Sequence, residues 1–118
     1  MFGDSINITV NAVAKALKKI NQDSYSSEYL LREATGEYRL RIRHSKEKTK
    51  IRGEAMERHN VELTYTLFGV APDDGYTTVV STTLRNAERI SGVEVDQLSD
   101  GLADWVKANG VLLVGWES

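Results

Sequence analysis

The chain has 118 residues and no cysteine. Disulfides and thiolate metal sites are therefore excluded, and the composition fits a reducing cytoplasm. Histidine is almost as scarce, with only His44 and His59. They show no His-x-x-x-His spacing, and neither lies beside a glycine-flanked nucleophile, so metal and triad chemistry have no footing. Gly53, Gly69 and Gly75 are isolated, and no glycine-rich phosphate loop is present. The longest apolar run, 111–114, is far too short to span a bilayer. The opening Met-Phe-Gly-Asp-Ser has no basic region followed by an apolar core and does not read as a signal peptide. The expectation is a non-enzymatic chain with no catalytic residue, metal, cofactor or membrane partner.

What is present is a soluble composition, 41% apolar and 27% charged, of a length that suits one domain. The net charge of −2 argues by itself against a nucleic-acid binder. Its distribution argues the other way. Residues 39–58 hold eight Lys/Arg against three Glu, whereas 92–118 hold Glu94, Asp96, Asp100, Asp104 and Glu117 against Lys107 alone. A basic middle and an acidic end point to two faces with different tasks.

The basic stretch 38–52 organises the chain. Strand side chains alternate between faces, so Arg39, Arg41 and Arg43 share one face, and Tyr38, Leu40 and Ile42 the other. After a turn near 45–47, Lys48, Lys50 and Arg52 again fall on one face, opposite Thr49 and Ile51. A hairpin of these two strands would carry six cations on one side and apolar groups behind. The alternative is a solvated face of mixed charge, but almost no acid interrupts the cations in this stretch. A polyanion is the expected partner.

In chain order, 5–10 alternates as a short strand, and Asn11-Ala12 can turn the chain. Residues 13–20 are ambiguous: Ala, Lys and Leu favour a helix, while Val13, Lys15, Leu17 and Lys19 also fit a returning strand. Residues 21–27 read as a loop, 28–34 as a strand, and 35–37 as a hairpin turn. Residues 60–68 form the clearest strand, with Val61, Leu63, Tyr65 and Leu67 opposite Asn60, Glu62, Thr64 and Thr66. Pro72-Asp73-Asp74-Gly75 marks a loop before a Thr/Val-rich strand at 76–85.

A helix follows. Ser91 and Glu94 have capping-box spacing, and Val95, Leu98, Leu102, Trp105 and Val106 make one stripe. Asp96, Asp100 and Asp104 form its solvated back, Asn109-Gly110 is a stop, and 111–116 is a packed apolar tail. Tyr29, Tyr38, Tyr65, Trp105 and Trp116 lie mostly on apolar faces and read as core more readily than as base-stacking platforms.

The fold class is α+β: an N-terminal hairpin (1–22), a five-stranded antiparallel meander (26–86) and a C-terminal helical region (91–118), together one domain of 1–118. One helix cannot cover five strands. Two copies meeting edge to edge, each helix over the partner, would cover the face and remove an exposed edge.

The segments SSEYLLREATGEYRLRIRHS (26–45) and ERHNVELTYTLF (57–68), with the opening MFGDSINITV and the closing Gly-Trp-Glu-Ser, resemble coat proteins of the single-stranded RNA bacteriophages, the levivirus group. The resemblance spans nearly the whole chain. It implies a hairpin rather than a helix at 13–20, and an intertwined dimer with a continuous ten-stranded sheet. It implies a dimer interface at Leu98, Leu102, Trp105 and Val106, and assembly in the bacterial host cytoplasm into the icosahedral shell of the virion. The bare sheet face would look inward onto the RNA genome, lined by Arg39, Arg41, Arg43, Lys48, Lys50 and Arg52, with Asn60, Glu62, Thr64, Ser81 and Thr83 beside them. Pro72, Asp73, Asp74 and Gly75 would form the loop around the symmetry axes.

In this group a dimer can also bind a stem-loop at the replicase start and repress translation. Well-studied members grip that loop with a tyrosine and an asparagine on the last strand. The inward positions here, Thr77, Val79, Ser81 and Thr83, include no aromatic, so the resemblance carries packaging by charge further than it carries that specificity. The competing reading is a dimeric β-sheet RNA- or DNA-binding repressor that does not assemble.

Overall fold

A computed structural model describes residues 2–47, 53–70, 74–90 and 92–117. The first hairpin pairs β1 (Ser5–Val10) with β2 (Val13–Gln22). Asn11 and Ala12, at φ 50° and 64°, make the two-residue turn with both residues left-handed, the geometry whose twist matches that of the flanking strands. Helix propensity in β2 is overridden because Leu17, on its inner side, is completely buried. The strand reading of 13–20 therefore holds, and β2 runs on to Gln22.

Four more strands follow: β3 (Ser26–Arg32), β4 (Gly36–Lys46), β5 (Met56–Leu67) and β6 (Tyr76–Ala87). All six form one antiparallel sheet in chain order, β1 to β6. The loop expected over 21–27 shrinks to 23–25, closed by Asp23, whose Oδ1 accepts from the backbone N–H groups of Tyr25 and Ser26, both at 2.8 Å.

The basic stretch is resolved differently from the expectation. β4 is paired along one edge with β3 and along the other with β5, from Gly36↔Leu67 to Lys46↔Glu57. Neither edge is left for a hairpin partner at 48–52, and Lys48, Lys50 and Arg52 lie outside the described residues. Four described strands follow the first hairpin where five were expected. At the β3–β4 turn, a Cβ on Gly36 would lie 2.6 Å from the Thr66 carbonyl oxygen and 3.1 Å from the Tyr65 ring. Only glycine lets the tyrosine ring pack there.

Register makes one face apolar: Tyr29 and Leu31; Tyr38, Leu40 and Ile42; Val61, Leu63 and Tyr65. The core gathers on its β3–β4 half. Leu17, Tyr29, Tyr38, Leu40 and Ile42 are buried, with Ile6, Ile8 and Val10 of the first hairpin packed on them. The hairpin therefore curls over this face. The Tyr29 hydroxyl donates to the Gly3 carbonyl at 2.8 Å, and Lys15, paired with Glu33 at 3.0 Å, sits 5.4 Å above the Tyr38 ring.

The helix α1 (Gly92–Val114) is longer than its expected stop at Asn109-Gly110. Gly110 is absorbed into it at a cost of about 1 kcal/mol relative to alanine. The left-handed cap residue is Trp116, at φ 70°: Glu117 N–H donates to the Leu112 carbonyl at 3.0 Å and Trp116 N–H to that of Leu113 at 3.1 Å. The tail expected to be packed is the exposed last turn of this helix. Ser91, the expected cap, lies outside the described residues. No described helix is long and apolar enough to cross a membrane.

Because Leu17 ties the hairpin to the sheet, Leu17→Ala is expected to lower unfolding free energy by about 2–5 kcal/mol. Urea denaturation measures it. A loss below about 1 kcal/mol, the range of a conservative trimming, would mean the hairpin is not held by this side chain.

Candidate nucleic-acid interface

The second face of the sheet is polar. Arg39, Arg41 and Arg43 alternate with the core residues of β4, and their cross-strand partners on β5 are Thr64, Glu62 and Asn60. On β6 these continue as Val79, Ser81 and Thr83. The described residues of the expected binding set, Arg39, Arg41, Arg43, Asn60, Glu62, Thr64, Ser81 and Thr83, thus share one surface. Thr77, expected to face inward, lies opposite Thr66 on that surface, the two hydroxyls 3.4 Å apart.

The expected absence of acids is corrected. Interruption comes from Glu28 and Glu62 on the neighbouring strands and from Glu37, just ahead of the basic stretch on β4. Glu28 of β3 pairs directly across from Arg41, and its carboxylate receives both Arg39 and Arg41, the latter at 3.3 Å. Glu62 accepts from Arg43 at 2.8 Å. Glu37 accepts from Arg32 at 2.8 Å and lies 4.0 Å from Arg39. Four arginines therefore meet three glutamates in this patch. The Arg39 guanidinium, with Arg41 beside it, holds the Glu28 carboxyl below the usual carboxylate range against the opposing effect of burial.

Asn60 has a supporting place instead of an exposed one. It is buried, its Oδ1 accepts from Arg43 at 2.9 Å, and its Nδ2 donates to the Thr83 hydroxyl at 3.0 Å. With its amide committed, it aligns Arg43 and Thr83 across three strands. A further site lies beside the β2–β3 loop, where Asn21, Ser26 and Ser27 border a cleft with Glu28, Arg41 and Arg43. Sequence reasoning missed it, since 21–27 read as loop and the β-bulge between Lys19 and Asn21 has no glycine or proline to signal it.

The histidines are on the apolar face. His44 and His59 oppose each other across β4 and β5 with Nδ1 atoms 2.8 Å apart, and His59 Nε2 lies 3.1 Å from Glu57. Hydrogen bonds from Asn86 and His59 hold the Glu57 carboxyl below its usual range. No group of three or more metal-ligating side chains occurs among the described residues.

The expected interface residues of α1 are uncovered: Leu98, Leu102, Trp105 and Val106 are 72%, 62%, 53% and 44% exposed. In the loop between β5 and β6, Gly75 approaches so closely that an added Cβ would lie 2.1 Å from the Leu67 carbonyl oxygen. Asp74 is described with it, and Pro72 and Asp73 lie outside the described residues.

A family model described as "Phage phiCb5, coat protein" matches residues 3–87, from the start of the first hairpin to the end of β6. Among solved structures, the bacteriophage EMS014 coat protein is similar with a TM-score of 0.66 at 18% identity, over 84% of this chain and 68% of that one. The virus-like particle of Beihai levi-like virus 21 gives 0.67 at 15%, over 92% and 88%. The virus-like particle of bacteriophage AVE019 gives 0.52 at 10%, over 91% and 88%. At these identities the likeness is one of fold. A comparison with curated protein sequences gives no match.

The polar face predicts its own titration. A carboxyl whose pKa falls on folding adds stability above its unfolded pKa, near 4.5 for Glu28. That contribution is lost as the pH drops through the lowered folded value. Carbon-detected NMR should place the Glu28 midpoint below 4.5. In Arg39→Ala it should rise, and rise further than in Arg41→Ala. A midpoint that Arg39→Ala leaves in place would refute the assigned pair.

Proposed function

The chain belongs to the phage phiCb5 coat-protein family, and from that premise we propose that it dimerises, assembles into an icosahedral shell and carries single-stranded RNA against the polar face of its sheet. The family's task is structural. What supports dimerisation is that one chain leaves its apolar surface unfinished. Its accessible surface is 9127 Å², whereas a compact monomer of 13.2 kDa exposes roughly 6,400 Å². Its radius of gyration is 16.9 Å against roughly 13.5 Å for a compact chain of this length.

Two uncovered apolar surfaces contribute to the excess. One is the apolar stripe of α1, which has no buried residue. The other is the β5–β6 half of the apolar face, where Val61, Tyr76 and Val80 are exposed. The first hairpin covers only the β3–β4 half. A second copy resolves both, each helix crossing to the partner's sheet and the free edges of β6 pairing. Such a sheet has eight strands between the two hairpins rather than the ten first expected. Shell contacts fall to the β5–β6 loop and the first hairpin.

The RNA reading rests on the shared polar surface of Arg39, Arg41 and Arg43. Stem-loop repression is an additional activity of the same face in this reading, with no aromatic on the β6 side to grip a loop. Assembly would take place in the host cytoplasm. The deciding experiment is size-exclusion chromatography of the recombinant chain, with electron microscopy of the leading peak and its 260/280 nm absorbance ratio. Uniform particles containing nucleic acid support the proposal. A salt-sensitive dimer that never forms particles supports the non-assembling repressor.

Two substitutions separate the parts of this proposal. Arg41→Ala with Arg43→Ala should lower RNA content and flatten the salt dependence by about 0.7 in log–log slope for each phosphate no longer engaged, with the dimer intact. Unchanged RNA content removes the polar face from the mechanism. Leu102→Ala with Trp105→Ala should abolish the dimer in sedimentation, each side chain contributing about 2–5 kcal/mol of packing. A dimer of undiminished affinity rules out the crossed helices.

A further inference from the structure

The polar face is already occupied by its own acids. In register, one row across four strands reads Glu28, Arg41, Glu62, Ser81, so Arg41 stands between two carboxylates. Glu28 also holds Arg39, and Glu62 holds Arg43. All three arginines of β4 thus have an acidic partner on the same surface. A phosphate approaching them does not meet free cations. It must approach a guanidinium that a carboxylate already holds, and the repulsion of that acid, or its loss of a partner where it is displaced, offsets part of the attraction gained at the phosphate.

The offset depends on what else the ligand offers. A bare polyphosphate presents acceptors only, so a displaced carboxylate recovers nothing beyond hydration. An unpaired base with an exocyclic amino group offers a donor, and a carboxylate accepts well from the amino group of cytosine. We propose that Glu28 and Glu62 set the selectivity of this face. They hold the guanidiniums against generic polyanions and yield them to single-stranded RNA whose unpaired, amino-bearing bases bind the released carboxylates. Neighbouring features suit this role. Asn21, Ser26 and Ser27 border the cleft that Glu28 shares with Arg41 and Arg43, and buried Asn60 keeps Arg43 aligned when its acid is released.

This inference rests on the reading of the polar face as the RNA-facing one, and the test separates the two. The full chain, dissociated from any particles and freed of nucleic acid, is titrated with two probes, inorganic polyphosphate and a labelled oligocytidylate, across a salt series. Glu28→Gln and Glu62→Gln keep side-chain size while removing the charge, and Glu62→Gln serves alone if Glu28→Gln does not fold. Each is expected to bind polyphosphate roughly threefold to tenfold more tightly, with a salt slope steeper by about 0.7 per arginine freed. The preference for oligocytidylate over polyphosphate should narrow by a similar factor.

If both variants bind polyphosphate as the wild type does, while Arg41→Ala with Arg43→Ala still weakens oligocytidylate binding, the selectivity role is overturned and the RNA-facing reading survives. If the arginine substitutions leave oligocytidylate binding untouched, the face itself is wrong and the inference falls with it.

Discussion

The two-residue period of β4 is the constraint on which the rest depends. Because Tyr38, Leu40 and Ile42 alternate with Arg39, Arg41 and Arg43, one strand fixes the identity of both faces of the sheet. A register slip of one residue would bury three guanidiniums and expose three core side chains. The neighbours reinforce the choice. Tyr29 and Leu63 stand opposite Leu40, and Glu28 and Glu62 stand opposite Arg41, so both the apolar contacts and the ion pairs favour the same register.

The two faces are then completed by different means. The apolar face is covered over β3–β4 by the first hairpin, through Leu17 and the isoleucines of β1. Over β5–β6 it stays open, and α1 leaves the sheet with its own apolar stripe uncovered. The polar face is completed within the chain by cross-strand carboxylates. One face thus lacks a partner by area, and on the other the described arginines are largely matched by carboxylates before any ligand arrives. Hydrophobic burial between copies is not weakened by ionic screening, whereas exchange of carboxylate for phosphate is. Assembly and RNA loading should therefore respond to different conditions.

Much of this was legible in the sequence because alternation survives without knowledge of the fold. The strands at 5–10, 60–68 and 76–85, the sharing of one face by Arg39, Arg41 and Arg43, and the apolar stripe of the helix are all periodicity, and they reappear with bounds shifted by a few residues. What failed needed partners distant in sequence. Residues 13–20 could not be settled locally, since their helix propensity is outweighed by the burial of Leu17 against other strands. The pairing of 48–52 with β4 fails because the second edge of β4 belongs to β5, and those residues themselves lie outside the described ones. The pairing of the polar-face acids with these arginines was hidden for the same reason: Glu28 lies 13 residues from Arg41 in the chain and directly opposite it in the sheet. Asn109-Gly110 misled in the other direction, because a glycine inside a helix costs little enough for the next turn to continue.

That last turn bears on how the chain is finished. A helix that continues through glycine and ends on a left-handed tryptophan accepts two local penalties and places Val111, Leu112, Leu113 and Val114 beyond the reach of its own sheet. Nothing in the described chain covers them. Local preference would have ended the helix at Gly110 and left 111–116 as a non-helical apolar tail. The extended form becomes favourable where the added apolar turn is buried, at about 25 cal/mol per Å². About 150 Å² of burial, roughly 3.8 kcal/mol on that scale, is enough to exceed both penalties, which together come to about 2–3 kcal/mol. Such an area is small beside the roughly 2,700 Å² by which the chain's surface exceeds that of a compact monomer. The energetics of the helix end and the unfinished sheet face lead to the same requirement, a second copy, from opposite ends of the molecule.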